Sequence, residues 1–507
     1  NNMTDKPKAT IMNFSIDMTR KHVRNTLSWW IPGKRNKVQF ATKSRTRKSA
    51  VTFQECLRAT LVIGQVFSLI PVSGILSNNV SDVRFFVISW RTIYTFVVLI
   101  GQSFMAVMYY LLNYAENLTS EPLIAATIVF YFTNLMTNTI FLKMAKRWPN
   151  LVQYIYKTEQ SDPNYDKNLK KKCSITCAVV LSLALVEHFL SLISAISASI
   201  VCFENTPRYE AFVRHFYPWV FNFLPFSPVL GAITQFLHVQ ATFVWNYSDV
   251  FVINMSYYLQ SRLQEVNKKL MAAKGKYLPE AFWKSKREDY CRITQLVRRA
   301  DDVINGIIFI CFANNLFFVC LQLYNTLEDG IKGNGQCNKT SHILGGYEAA
   351  AFFIFSLVYL ISRSAAVSLI ASQVNIASTV PAAILYDVPS PVYCVEVQRF
   401  IDQVNGDIVA LSGLQFFNIT RGLLLKVSIH FVFRIKIFIN RYLDLLLCAW
   451  RFKQFPPLGS SPADDVSLHF QVAGTIVTYE LVMFQFNSSD DKSTSANNTI
   501  TTPATKT

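Results

Sequence analysis

Charge is what this 507-residue chain has least of: Asp, Glu, Lys and Arg together make up 16% of it. A soluble domain carries roughly a quarter. Half the residues are hydrophobic, 14% are aromatic with 40 Phe among them, and mean hydropathy is +0.25. The shortage of charge excludes an ordinary soluble globule and predicts a polytopic membrane protein. Other absences narrow the reading further. No His or Cys set has zinc spacing, no glycine loop is built to cradle phosphate, and no Ser sits in a nucleophile elbow. The sequence therefore makes no case for an enzyme or for a resident cofactor or metal. The first 50 residues have no apolar signal-peptide core, so the first spans are expected to act as signal anchors. The net charge of +17 is not gathered on one face or in one domain, which argues against a nucleic-acid partner. It alternates with apolar runs, the pattern of a topology bias.

Apolar segments lie near 55–76, 85–112, 122–142, 173–203, 228–260, 302–326, 347–377 and 412–426, followed by 472–486. A spanning helix needs about 20 residues to cross a core of roughly 30 Å. The first segment carries Glu55, Arg58, Gln65 and Pro71 and fits better as a short interfacial helix before span one. Seven spans then remain. The 54 N-terminal residues hold 12 Lys or Arg, the 143–172 loop 8 and the 263–301 loop 10, whereas 113–121, 204–227 and 327–346 hold 0, 2 and 2. The expected fold is thus all-α, a bundle of seven transmembrane helices with a cytoplasmic N-terminus and an extracellular C-terminus. The sequons at Asn117, Asn338 and Asn497 fall on the expected outer side, and that at Asn79 on the inner side. Of ten cysteines, Cys202 and Cys337 lie near the outer face, where a disulfide and two packed thiols both remain open.

The expected organisation is a basic cytoplasmic tail over 1–54, a helix bundle with a ligand pocket and cytoplasmic anchor over 55–426, an atypical block over 427–471, a pore helix over 472–486 and an extracellular disordered tail over 487–507. The block joins a basic and apolar stretch, RIKIFINRYLDLLLCAWRFK, to a loop-like PPLGSSPADD. Its edges suit splice signals: Val427-Ser428 can be encoded by GTAAGT and Phe470-Gln471 by TTTCAG. We read its 45 residues as a translated intron, with a genuine family-specific loop as the alternative. Residues 472–486 alone make about 22 Å of helix, too short to cross. Ile419 to Lys426 joined directly to Val472 make about 34 Å, enough to cross.

The run Val472 to Phe486, VAGTIVTYELVMFQF, is apolar except at fixed places, among them Thr478, Tyr479, Glu480 and Gln485. In a membrane such side chains face protein or water. The string resembles the last helix of the insect gustatory receptors, which reads Thr-Tyr, five mostly apolar residues, Gln-Phe. ALSGLQFFNITRGLLLK over 410–426 is similar to the family's approach to that helix. Glu480, the run from Phe243 through Trp245 to Asp249, Leu259 to Arg262, and RATLVIGQVFSLIPVSG over 58–74 resemble its sugar-sensing branch. The resemblance implies a ligand-gated, non-selective cation channel of taste neurons, sitting in the cell membrane of their dendrites. It implies a homo- or hetero-tetramer with helix seven of each subunit lining one pore, permeant cations, and a sugar ligand entering from outside. It places Thr478, Tyr479, Gln485 and Phe486 on the pore helix, the last two near its outer end. A Phe ring could close such a pore by dewetting and a Gln ring could line it. For Thr478 and Tyr479, helix packing is an equal reading.

A sugar offers many hydroxyls and apolar ring faces, so its site needs paired hydrogen-bonding groups beside an aromatic surface. The candidates at membrane depth are Glu187 and His188 in span three, Gln235, His238, Trp245, Asn246 and Asp249 in span four, and Gln102 in span one. Gln240, Asn134, Asn138, Asn314, Asn315, Gln322 and Arg363 complete the polar inventory. Trp245 and Asp249 are four apart and share a helix face. The competing expectation is that Asp249 and Arg363 form a buried structural pair. Two other seven-span or polar-midplane classes were weighed. A G-protein-coupled receptor calls for an outside N-terminus, Asp-Arg-Tyr after span three and Asn-Pro-x-x-Tyr in span seven, none of which is expected or present here. A secondary transporter calls for repeated halves or paired helix breaks, which the chain does not show.

Overall fold

Among the described residues the longest unbroken buried run, Asn246 to Ser256, lies in one helix, Pro228–Met271. The other long helices pack against it. A computed structural model describes residues 53–77, 79–115, 122–163, 166, 168–202, 206–328 and 347–421. In chain order these form α1 (Phe53–Val66), a two-residue hairpin of β1 (Val72–Ser73) and β2 (Arg84–Phe85), α2 (Trp90–Ala115), α3 (Pro122–Ser161) and α4 (Leu169–Cys202). The short α5 (Arg208–Phe216) and α6 (Pro218–Phe221) lead into α7 (Pro228–Met271), α8 (Glu280–Glu328), α9 (Glu348–Tyr386), α10 (Val395–Gly406) and a second hairpin of β3 (Ser412–Gly413) and β4 (Phe417–Asn418).

Six of these helices, α2, α3, α4, α7, α8 and α9, occupy the places where spans one to six are expected. At about 1.5 Å per residue, the 44 residues of α7 run about 66 Å, roughly twice a bilayer core, so the helix continues well beyond the membrane. Among the described residues four helices are apolar enough over enough length to count as spans by composition alone, those starting at Trp90, Leu169, Glu280 and Glu348. The helices α3 and α7 are as long but more polar, and α7 hides its polar residues inside the bundle: Gln240, Asn246, Asp249 and Asn254 are all buried. Beyond Ile419, Thr420 and Arg421 the residues of the expected seventh span lie outside the described ones, as do the N-terminal tail up to residue 52, the block over 427–471, the pore positions Thr478, Tyr479, Gln485 and Phe486, and Cys337.

The outer surface explains why so much apolar side chain is exposed. Only 6% of the apolar window of α4 is buried, against 67% for that of α8. On α2, Ile93, Phe96, Val97 and Ile100 follow one another at helical spacing and all face outward. Stripes of this kind suit lipid, not water. One expectation changes in detail. The short helix before span one is present as α1, with one face sunk into the bundle: Phe53, Cys56, Leu57 and Leu61 bury it among Trp148, Phe251 and Tyr258, while Ala59 and Val66 stay exposed.

A second departure concerns the apolar run over 412–426, expected to open the last span. It begins as a hairpin, with Ser412 opposite Asn418 and Gly413 opposite Phe417. Leu414 and Gln415 turn it in the left-handed region, at φ 51° and 65°. Asp301 of α8 holds the hairpin through the Ser412 backbone N–H at 2.7 Å and the Ser412 hydroxyl at 2.6 Å. Helix resumes only at Arg421.

Candidate functional site

Three helices present polar stripes to one seam at membrane depth. On α7 the stripe is Trp245, Asn246 and Asp249; on α8 it is Cys311 and Asn315; on α9 it is Ser356, Tyr359 and Arg363. Spacings of three, four and seven keep the α8 and α9 stripes each on one helix face, and on α7 Trp245 and Asn246 each stand about one turn before Asp249. Arg363 lies at the centre, with its side chain 2% exposed and that of Asp249 0% exposed. The Arg363 Nε is 2.7 Å from Asp249 Oδ2. Its Nη1 donates to Asn246 Oδ1, and its Nη2 to Asn315 Oδ1 at 3.3 Å. The other Asp249 oxygen accepts from the Asn315 amide at 3.0 Å and the Cys311 thiol at 2.6 Å. The Asp249 carboxylate thus supplies the counter-charge, through an ion pair that lacks hydrogen-bond geometry at Nε, and the two Nη atoms each donate to a different amide oxygen, which makes a cation tolerable here.

Aromatic rings close the seam. The Arg363 guanidinium sits 4.7 Å from the Trp245 ring centre and 5.2 Å from that of Tyr359, a cation–π arrangement. The Trp245 indole N–H donates to Asn315 Oδ1 at 3.2 Å. The Tyr359 hydroxyl is placed to donate either to Asn246 Oδ1 at 3.0 Å or to the Val180 carbonyl at 2.9 Å. Glu187 of α4 joins from the side, its Oε1 accepting from Ser356 at 2.5 Å, and Ser356 in turn accepts from Gln322 at 3.0 Å.

The expected buried pair of Asp249 and Arg363 is therefore present, and Trp245, Asn246, Asp249 and Glu187 converge on it. The other candidates go elsewhere. His238 belongs to an aromatic cluster, with its Nδ1 3.1 Å from the Tyr131 hydroxyl and its ring against Phe130, Phe216 and Tyr217. His188 adjoins it, 6.3 Å away between ring centres. Within this cluster the buried His188 Nε2, Tyr217 hydroxyl and Trp219 Nε1 have no hydrogen-bond partner among the described residues. Gln102 lies apart from both groups. It donates to the Leu237 carbonyl and to Gln240 Oε1, each at 2.7 Å, and Gln240 passes the chain on to Phe67, Ser68 and Asn138. That network ties α2, α3 and α7 to the turn after α1, so Gln102 is a structural tie. Gln235 is half-buried about two turns from the start of α7, ten residues before Trp245, and does not reach the seam.

Between the seam and the aromatic cluster lies a cavity of about 10 Å³, bounded by Phe130, Asn134, Thr137, Trp245, Asn314 and Phe318. It has room for about one water. Sequence reasoning missed Tyr359, Ser356, Cys311, Phe130 and Phe318. The available signal was spacing: Tyr359 stands four before Arg363 and Cys311 four before Asn315.

The described helices thus make a membrane-type bundle with a charged, aromatic-lined seam between α7, α8 and α9. Its fold is similar to the insect olfactory receptor OR5 from Machilis hrabei, with a TM-score of 0.52 and 12% identity over 77% of this chain and 97% of that one. The same receptor in complex with eugenol gives 0.51 and 13%. Residues 35–433 match the family model described as trehalose receptor, and the chain belongs to that family of gustatory receptors. Among its relatives in Drosophila melanogaster, the gustatory receptor for sugar taste 64f is 30% identical over 463 residues, 88% of this chain and 84% of that protein. The gustatory receptor 5a for trehalose is 28% identical over 485 residues, 94% and 95% of the two.

Proposed function

We propose that this protein is a sugar receptor of taste neurons that works as a ligand-gated, non-selective cation channel, located in the dendritic membrane and assembled as a homo- or hetero-tetramer. The observation that carries the reading is the juxtaposition of Trp245, Asn246 and Asp249 with Arg363, Asn315 and Tyr359, in a chain whose relatives are named for sugar and trehalose taste. A pyranose presents hydroxyls above and below an apolar ring face. An indole supplies the stacking surface, and carboxylate, amide and guanidinium groups supply paired acceptors and donors. The unpartnered His188 Nε2, Tyr217 hydroxyl and Trp219 indole offer further hydrogen bonds on the outer side.

The cavity beside Trp245 is too small for a sugar ring, so the arrangement described is a closed one. A sugar that enters must part Phe130, Trp245 and Phe318, and it favours the open state by the difference of its affinity for the two states. Helix seven, with Thr478, Tyr479, Gln485 and Phe486, then lines the pore, and Phe486 forms its dewetting gate.

Recording currents from the expressed chain lacking residues 427–471 against a panel of sugars, without added G protein, tests the proposal. The expected result is a sugar-evoked current that reverses at a non-selective cation potential. Trp245→Ala should abolish it at unchanged surface expression, whereas Trp245→Phe, which keeps a ring but loses the bond to Asn315, should shift the dose response to higher sugar. An unchanged dose response in Trp245→Ala removes the ring from the site.

A further inference from the structure

The surface between α1 and α4 is not packed shut. Ala59 and Ile63 of α1 face Ala178, Leu181, Ser182 and Leu185 of α4 across an apolar groove of about 350 Å³ that opens outward. The cause is local: alanine and serine at the facing positions cannot fill the space that two helices of this separation leave. Along α4 the lining starts at Ser174, and from there to Leu185 the helix rises about 16 Å, roughly one leaflet of a bilayer core.

The same helix face continues one turn toward the basic end of the bundle with Lys170 and Lys171. Both are exposed. The next lysine, Lys172, is bound to Asp166 at 3.1 Å, but among the described residues neither Lys170 nor Lys171 is paired with a carboxylate. Glu55, one turn before Ala59, is the acidic group on the facing helix. The face therefore reads, from end to middle, as net positive and then apolar and concave for the depth of one leaflet.

We propose that this groove is a specific site for an anionic phospholipid of the leaflet at the basic end of the bundle, one acyl chain lying between α1 and α4 and the phosphate held by Lys170 and Lys171. Charge complementarity selects the occupant: a zwitterionic lipid gains little from two unpaired ammonium groups, and an anionic headgroup gains from both. Lysine stems reach along apolar surface while their charges stay in the headgroup layer. The site is separate from the polar seam and does not depend on which ligand the seam takes. Since α1 also packs against α3 and α7, an occupied groove would buttress the short helix from the membrane side.

The test uses the full chain reconstituted in nanodiscs of phosphatidylcholine with phosphatidylserine, followed by native mass spectrometry of retained lipid. Phosphatidylserine should be retained about tenfold over its share of the bilayer. The substitution K170Q/K171Q should bring that ratio close to one while leaving a lipid bound, and Ala178→Trp, which fills the groove, should remove the retained lipid of either kind. A photo-crosslinking residue at Ser182 gives an independent reading in the unmutated charge background, with a phospholipid adduct expected. Equal retention of the two lipids, a preference that survives K170Q/K171Q, or a crosslink from position 182 to a second copy of the chain would each overturn the proposal.

Discussion

A guanidinium at membrane depth is stable only beside groups that neutralise and bind it, and Arg363 has Asp249 as its counter-charge and Asn246 and Asn315 as acceptors. Removing the cation leaves a carboxylate with nothing to neutralise it. Arg363→Ala should therefore destabilise the protein by about 3–5 kcal/mol, seen as a lower melting temperature in detergent. Arg363→Lys should not restore it, because a point charge cannot address three acceptors in a plane. The informative variant is the double substitution Asp249→Leu with Arg363→Met, which removes both charges and should be less damaging than either single change. Additive losses would show that the pair is not coupled. Such a result would also weaken the seam as a ligand site, since Trp245 and Tyr359 are held by the same guanidinium.

At the scale of elements, α1 is fastened by a residue far away in sequence. Glu159, in the last turn of α3 beyond its span, accepts from the Phe53 backbone N–H and from the Tyr258 hydroxyl, both at 2.9 Å. It supplies from outside the acceptor that an N-cap side chain would give the first turn of α1. Burial lifts the Glu159 carboxyl above its usual range, opposed in part by these hydrogen bonds. A carboxyl raised in the folded state contributes stability that is fully present below the unfolded value, about 4.3, and is lost as pH rises through the folded value. Glu159→Gln, which mimics the protonated form, should melt at or above wild type at pH 7, and the difference should vanish as pH falls toward 4. A variant less stable at pH 7 than at pH 4, relative to wild type, would contradict this. The second hairpin offers a steric test. A Cβ on Gly413 would lie 2.3 Å from the Phe417 ring, so Gly413→Ala should destabilise and Phe417→Ala should relieve it. These elements also show what sequence could convey. The long helices were legible because apolar runs of 20 or more residues admit one structure in a bilayer. The hairpin was not, because Leu411 to Ile419 is a mixed run that strand and helix share, and its turn places Leu414 and Gln415, not glycine, at positive φ. In the site, Trp245, Asn246 and Asp249 stood out as polar groups at membrane depth. Gln102 stood out equally, and only three-dimensional contact shows its amide N–H groups donating to Leu237 and Gln240, away from the seam.

For the whole molecule, the hairpin fixes where the last helix can begin. Ile419 is still bound to the Leu411 carbonyl at 2.8 Å, and helix starts at Arg421. If Lys426 joined Val472 directly, residues 421–426 and 472–486 would form one helix of about 32 Å, which still matches a bilayer core. With 427–471 in place, neither part is long enough alone, and a polar loop would have to sit at membrane depth or the apolar run 472–486 would have to stop short. The deletion of 427–471 should therefore reach the cell surface, assemble, and give sugar-evoked cation current, with Gln485→Ala or Phe486→Ala altering conduction or resting leak. The full-length chain should give little or none. Sequencing of the mature message across the junction provides the independent check, with the 135 bases that encode the block expected to be absent. A message that retains them, together with current from the full-length chain and none from the deletion, would make the block a functional part of the receptor and would require a pore helix that is entered through a basic insert.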